Sequence, residues 1–147
     1  MDFEALGYQI STDKSKLDLQ VIHEFLFQSY WAKGIPREVV EKSIAGSLCF
    51  GLYHNDQQIG FARMVTDSAT FAYLGDVFVL EPYRGKGLSK WLMQRIMQHP
   101  ELQGLRRMIL ATLDAHGLYK QFGFEELSAP DRLMEKLIPN IYQSNFS

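Results

Sequence analysis

The sequence predicts a single α/β domain, covering residues 1–147, with a mixed β-sheet. Short segments with alternating apolar residues are typical of strands, and they are interleaved with segments that repeat apolar residues at helical spacing. Residues 76–98 combine both patterns, because a short apolar strand leads through a glycine-rich turn into an amphipathic helix. A chain of 147 residues is also long enough to bury roughly two-thirds of its unfolded surface in one core.

The first half of the chain alternates strand and helix patterns and ends in a hairpin. In order, the elements are a strand at residues 7–11, a helix from Ser15 or Asp18 to Ser29, a short helix over residues 37–44, and strands at residues 47–53 and 58–66. Pro36 suits the start of the second helix, because proline favours the first helical turn. The polar residues 54–57 between the last two strands predict a tight turn.

The second half begins with a long aromatic strand. In order, the elements are a strand at residues 70–79, a helix over 88–98, a strand at 107–112, a short helix over 115–122, strands at 124–127 and 132–137, and an irregular tail at 139–147. Gly75 lies inside the first of these strands, where glycine often marks a β-bulge or a close approach of another backbone.

Composition and charge limit the possible partners. The net charge is −2, so a general affinity for nucleic acid is not expected, since that affinity depends on many contacts to phosphates. No apolar run approaches the length of a membrane span, and no basic leader precedes one, so we expect no membrane partner and a cytoplasmic location. Cys49 is the only cysteine, which excludes an internal disulfide, and the histidine spacing predicts no metal site.

The glycine turn, defined as residues 84–89, lies between the apolar strand and the helix. Such a turn points several backbone N–H groups into one concavity, and the helix N-terminus adds partial positive charge there. The basic side chains of Arg84 and Lys86 strengthen the attraction for an anion. The pattern predicts a pyrophosphate site. It is not a P-loop, and Lys90 stands where a dinucleotide fingerprint needs its third glycine.

Two motifs in register resemble the GNAT superfamily of N-acetyltransferases. The glycine turn resembles the acyl-CoA motif R/Q-x-x-G-x-G/A, with Ser89 at the last position. Residues 115–124 resemble the A-x-x-L-Y-x-x-x-G-F element of the same family, and the resemblance extends over about residues 47–126. It implies a mostly antiparallel central sheet flanked by helices, with a bulged and splayed central strand.

The resemblance also implies an activity and a cofactor. We expect an acetyltransferase that moves an acetyl group from acetyl-CoA to a primary amine of a small molecule, by direct attack in a ternary complex. Two alternatives stay open: a non-catalytic acyl-CoA sensor, and a protein that binds another pyrophosphate nucleotide in the same turn. The coenzyme-binding residues that the resemblance implies are Val77, Phe78, Val79, Arg84, Gly85, Lys86, Gly87, Leu88, Ser89, Asp114 and Tyr119.

The resemblance places Tyr119 near the coenzyme sulfur, where a protonated phenol can donate to the departing thiolate. The general base stays open between Asp76, Tyr73 and a chain of water molecules. Asp76 can equally bind the ammonium group of the substrate or satisfy nearby backbone N–H groups. The adjacent aromatics Tyr30 and Trp31 either wall a pocket for an apolar or cationic acceptor or cover the edge of the core. A homodimer is consistent with the sequence.

Overall fold

The computed structural model describes residues 1–143, and within them it contains five strands and four α-helices. In chain order these are β1 (Tyr8–Ser11), α1 (Leu19–Gln28), α2 (Arg37–Ala45), β2 (Leu48–His54), β3 (Gln57–Thr66), β4 (Phe71–Val79), α3 (Leu88–Gln98), β5 (Arg107–Leu110) and α4 (His116–Lys120). The predicted α/β fold class is confirmed. The last four residues of the predicted irregular tail lie outside the described residues.

The five strands form one open sheet in the order β1-β2-β3-β4-β5. The first three pairings are antiparallel, and β4 pairs with β5 in parallel. The β4–β5 pairing extends only from Phe71↔Arg107 to Leu74↔Leu110, whereas β4 continues to Val79. Beyond Leu74, β4 therefore has β3 on one side and no strand partner on the other within residues 1–143. This opening is the predicted splay.

β4 also contains the predicted bulge. Phe61 pairs with Phe78, but two residues later Arg63 pairs with Gly75, so β4 has one residue more than β3 over this stretch. Asp76 is the extra residue. Its φ of 54° lies in the left-handed region, which aspartate tolerates better than most residues. The bulge predicted near Gly75 is thus formed by its neighbour, at the point where the strands diverge.

Both faces of the sheet are covered by helices. On one face, α3 contributes Leu92, Met93 and Ile96 to a core that includes Phe50 and Met64 of the sheet. On the other face, the first two helices pack on a second buried cluster. The residues of this second cluster are Ile22, Leu26, Ala32, Ile35, Val40, Cys49, Phe61 and Phe78. These two layers cover both faces of β4, so its diverging end lies between them.

The structure decides where α1 begins. Asp18 is the N-cap, and its carboxylate accepts hydrogen bonds from the backbone N–H groups of Gln20 and Val21. Ser15 instead belongs to a short 3-10 turn whose cap is Asp13. Gln58, a buried residue of β3, accepts a hydrogen bond from the backbone of Asp18 and so fixes this helix end to the sheet.

Two predicted strands, at residues 124–127 and 132–137, are wrong. Neither segment is a strand in the structure, and a 3-10 turn at Pro130–Arg132 separates them. A strand is stabilised when pairing with a sheet buries one of its faces. Here Met134 is 96% exposed and Leu137 is 67% exposed, so neither side chain is buried against the sheet.

The described part of the chain contains no helix with the length and apolar character that crossing a membrane requires.

Candidate active site

The glycine turn joins the end of β4 to α3 through a 3-10 turn at Glu81–Tyr83. Gly85 and Gly87 have φ angles of 79° and 87°, which favour glycine, and Gly87 is the N-cap of α3 without a capping side chain. The first backbone hydrogen bond of the helix runs from Trp91 N–H to the Gly87 carbonyl. Within residues 1–143, the six consecutive N–H groups of residues 85–90 therefore have no acceptor.

The first part of the glycine turn is open to solvent. Residues 84–87 are exposed, while Leu88 is buried and anchors the first turn of α3 in the core. The Arg84 side chain folds back, and its Nε donates to the Val79 carbonyl over 2.8 Å. Unpaired amides at a helix N-terminus bind anions readily. The turn thus has the geometry of a phosphate site.

A second feature, the central cavity, has a volume of about 580 Å³. Five separate parts of the chain line it: the segment that joins α1 and α2, α2 itself, the bulged end of β4 with β3 beside it, the segment from the end of β5 into α4, and the C-terminal tail. The predicted site residues that line it are Tyr30, Trp31, Tyr73, Asp76, Val77, Asp114 and Tyr119. The strand splay forms the cavity floor, because both diverging ends belong to the lining.

Asp76 is held by two side chains. Its Oδ1 accepts a hydrogen bond from Trp31 Nε1, and its Oδ2 accepts one from Arg63 Nε, each over 2.8 Å. Arg63 Nη1 in turn donates to Ser47 Oγ over 2.9 Å. The pair with Arg63 is largely shielded from solvent, which strengthens the electrostatic attraction. This network fixes the position of the Trp31 ring and of the left-handed residue at the bulge.

Tyr119 lies on α4 with only 8% of its surface exposed, and it lines the central cavity. Among residues 1–143 its hydroxyl makes no hydrogen bond and is not one of the buried polar groups without a partner, so it is accessible. Burial raises the pKa of the Tyr119 phenol above its ordinary value, with smaller contributions from Tyr30 and Asp114. The phenol is therefore protonated at neutral pH and is available as a proton donor.

Three aromatic residues at the cavity mouth are unusually exposed. Tyr30 is 64% exposed, Trp31 41% and Tyr73 36%. The rings of Tyr30 and Trp31 meet edge to face with centroids 5.0 Å apart. Trp31 also approaches the half-buried ring of Phe25 at 6.2 Å, so the pair lines the cavity and lies against the second core cluster, and its role stays a prediction. Exposed aromatic clusters of this kind are typical of ligand sites.

The structure does not bring all predicted site residues into one place. The side chains of Phe78 and Val79 are buried in the core and do not line the central cavity, so only their backbone is available to a ligand. The glycine turn is also outside the cavity lining. Val77 connects the two regions, because it lines the cavity and lies on β4, the strand that leads to the glycine turn.

Among the cavity residues that the sequence did not single out, Arg63 and Tyr142 have the most distinctive side chains. Arg63 is a charged residue between the apolar residues Ala62 and Met64 of β3, which is a signal that a partner or a site lies nearby. Tyr142 lies in the tail that was predicted to be irregular, and nothing in its local pattern indicates that the tail returns to the cavity. In the described residues, no three His, Cys, Asp or Glu side chains lie close enough to hold a metal ion.

Comparison with known proteins agrees with this geometry. The model of the acetyltransferase (GNAT) family matches residues 18–124. The Gibberella zeae protein FG08082, named as a candidate acetyltransferase, is 32% identical over 143 residues, with 81% of this chain and 80% of that protein covered.

Solved structures extend the likeness. A candidate GNAT acetyltransferase from Xanthomonas campestris pv. campestris is 52% identical, with a TM-score of 0.91, 93% of this chain and 97% of that chain covered. A candidate acetyltransferase from Clostridium acetobutylicum, crystallised with acetyl-CoA, is 15% identical with a TM-score of 0.64, over 88% of this chain and 94% of that one. The second likeness supports the fold alone. The family match and the curated relative establish that this chain belongs to the GNAT family of acetyltransferases.

Proposed function

We propose that this protein transfers the acetyl group of acetyl-CoA to the primary amine of a small molecule, by direct attack in a ternary complex. One observation carries the proposal: six consecutive backbone N–H groups, at residues 85–90, have no acceptor within the described chain and surround a helix N-terminus. The pyrophosphate of the coenzyme supplies the matching acceptors. The acetyl-CoA in the Clostridium acetobutylicum structure, which has the same fold, adds support.

The pantetheine arm then runs along the open side of β4. Beyond Leu74 this side lacks a strand partner within the described residues, so backbone groups of Val77, Phe78 and Val79 are available to a ligand that adds like an extra strand. This path leads from the glycine turn to the central cavity. A backbone N–H at the bulge polarises the thioester carbonyl, which favours attack by the amine.

The reaction forms a C–N bond and breaks a C–S bond. The lone pair of the neutral amine attacks the thioester carbon, and the thiolate leaves with the electron pair of the C–S bond. Tyr119 donates a proton to that thiolate, because its raised pKa keeps the phenol protonated. Most of the acceleration comes from holding the two substrates together in the cavity.

Asp76 is assigned to binding the amine as it enters, not to a dedicated base. Both of its oxygens already accept a hydrogen bond, from Trp31 and Arg63, so its position is fixed in the lining of the cavity. The ammonium group loses one proton to water before the attack. The proton that the nitrogen loses after the attack passes through water and restores the Tyr119 phenol. Tyr73, Tyr30 and Trp31 hold the body of the acceptor, and Asp114 lies at the rim.

Three further expectations stay predictions. These are the single domain over residues 1–147, the cytoplasmic location and the homodimer.

The proposal is tested by coenzyme binding followed by transfer. Isothermal calorimetry should detect coenzyme A and acetyl-CoA, and thermal shifts with ATP and NAD should be smaller, because only a ligand that binds the native state stabilises it. Thiol release across a panel of amines, with mass spectrometry of the products, should then identify an N-acetylated acceptor. Binding without transfer to any amine favours the sensor, and stabilisation by ATP or NAD alone overturns the proposal.

A further inference from the structure

We propose that the acceptor is an amine with a single positive charge, an aromatic or similarly bulky apolar body, and no carboxylate beside the amino group. This inference rests on the proposed function. It concerns the chemistry of the central cavity and names the class of molecule that this cavity selects.

The charged side chains in the lining of the central cavity favour a cationic acceptor over an anionic one. Within residues 1–143, only three charged side chains line the cavity, namely Arg63, Asp76 and Asp114. Arg63 is paired with Asp76 at 2.8 Å and also donates to Ser47, so its charge is already compensated. The exposed Asp114 remains, which leaves the lining with a net charge of −1. An ammonium group is therefore attracted, and the carboxylate of an amino acid finds no free cation in the lining.

The wall of the central cavity is aromatic and favours an acceptor with a bulky apolar body. Five aromatic residues line the cavity, and at least three of them expose a large fraction of their surface in the absence of a ligand. They are Tyr30, Trp31, Tyr73, Tyr119 and Tyr142. Aromatic faces bind apolar rings by stacking, and they attract cations. A small hydrophilic amine such as ethylamine leaves this surface in water, so it gains little from binding.

The lining of the central cavity does not suit an acceptor with several positive charges. A polyamine places two or more ammonium groups at fixed spacing and needs several uncompensated carboxylates. The cavity offers Asp114 and the already paired Asp76, and no other acidic side chain in the described residues lines it. The volume of about 580 Å³ also suits a small ligand together with the end of the pantetheine arm.

The experiment compares four acceptors that differ in ring, carboxylate and charge. Phenethylamine is the reference, phenylalanine adds a carboxylate, ethylamine removes the ring, and spermidine replaces the ring by a chain with further positive charges. With saturating acetyl-CoA, we expect kcat/KM for phenethylamine to exceed that for each of the others at least tenfold. Equal or faster transfer to phenylalanine, ethylamine or spermidine overturns the inference while leaving acetyl transfer established. Transfer to none of the four, with the coenzyme bound, overturns it as well.

A charge variant tests the cause. Asp76→Asn keeps an oxygen for the Trp31 indole and tolerates the left-handed backbone, but it frees the Arg63 guanidinium. We expect the preference for phenethylamine over phenylalanine to fall at least tenfold in this variant, through a lower KM for phenylalanine. A purely structural role for the pair lowers both rates together and leaves the ratio unchanged, which overturns the argument from charge.

A ring variant tests the wall. Tyr30→Ala should raise the KM for phenethylamine at least fivefold and leave ethylamine unchanged. Phe27→Ala is the matched control, because Phe27 is also an exposed ring, at 49%, but does not line the central cavity. Equal effects of the two substitutions overturn the assignment of Tyr30 to the acceptor wall.

Discussion

The glycine turn and the central cavity are built in different ways. The turn uses consecutive backbone N–H groups from one short segment, and its side chains matter mainly through the φ angles of two glycines. The cavity uses side chains from five separate parts of the chain, held together by the network around Asp76. A backbone site of this kind serves one ligand throughout a family, whereas a side-chain site changes with each substitution.

Because the two sites are built differently, we expect each of them to control a different property of the enzyme. Changes in the turn should alter coenzyme affinity and leave acceptor preference intact, and changes in the cavity should do the reverse. Each variant below is therefore measured twice, by calorimetry with coenzyme A and by transfer kinetics with an acceptor.

The largest effect is expected from Gly87→Glu. The side chain places a carboxylate at the N-terminus of α3, where the coenzyme pyrophosphate is proposed to bind, so charge repulsion and bulk should lower affinity for coenzyme A at least about a hundredfold. The left-handed backbone costs about 1–2 kcal/mol of stability, partly offset by the favourable charge at a helix N-terminus.

Gly104→Glu is the control for that strain. Gly104 has a φ of 74°, and a Cβ there meets nothing within 4 Å, so the backbone cost is similar and the site is untouched. If both variants retain full affinity by calorimetry, the turn is not the pyrophosphate site.

Tyr119→Phe should act on the chemical step alone. Loss of the proton donor is expected to lower kcat about 10- to 100-fold with little change in coenzyme affinity. Stability should change by less than about 0.5 kcal/mol, since among the described residues the hydroxyl is neither hydrogen-bonded nor a buried unsatisfied group.

The pH profile sharpens this prediction. Burial raises the pKa of Tyr119 above its ordinary value near 10, so the phenol stays protonated and the ratio of wild-type to variant rates should be constant between pH 6 and about 9. Any loss of activity in the wild type that depends on Tyr119 must appear above that range. An unchanged kcat in the variant means that Tyr119 contributes only to the packing of the first core cluster.

Gly34→Ala should have a smaller effect, confined to the acceptor. Gly34 has a φ of 83°, and a Cβ there comes within 2.6 Å of the Tyr142 carbonyl, so the tail that completes the cavity must move. We expect the KM for the acceptor to rise several-fold and the affinity for coenzyme A to change less than twofold. Gly104→Ala has the same kind of backbone strain without the collision. A similar KM for the acceptor in both variants would mean that the tail does not take part in acceptor binding.

The same contrast explains what the sequence predicts. The glycine turn and residues 115–124 are local motifs, so their resemblance to the family predicts their place in the fold. The bulge was expected from Gly75, but the left-handed residue is Asp76, because its side chain gains two hydrogen bonds there. Arg63 and Tyr142 reach the cavity only through long-range contacts, which no local pattern encodes.

The strands predicted after α4 illustrate a second limit. Residues 132–137 contain three apolar side chains, yet their presence gives no information about whether a partner strand buries them. In the structure the tail instead runs toward the segment between the first two helices, where Tyr142 joins the second core cluster and meets Gly34.

The smallest effect is expected from Tyr53→Phe, in β2, away from both sites. The Tyr53 hydroxyl is buried without a hydrogen-bond partner in the described residues, and its ring lies over Gly51. Removing an unsatisfied hydroxyl should stabilise the protein by about 1 kcal/mol at pH 7, measured by urea unfolding. Coenzyme affinity and transfer rates should stay as in the wild type.

The sign of the pH dependence makes this last test specific. Burial raises the pKa of Tyr53 from 10 to about 12, so the wild type has its full stability below pH 10 and loses part of it as the pH rises from 10 to 12. The phenylalanine variant lacks that loss, although the buried thiol of Cys49, whose pKa burial raises to about 11, still contributes one. The advantage of Tyr53→Phe should therefore grow above pH 10. A constant advantage means that the hydroxyl reaches water, and that the sheet beneath both sites is looser than its packing indicates.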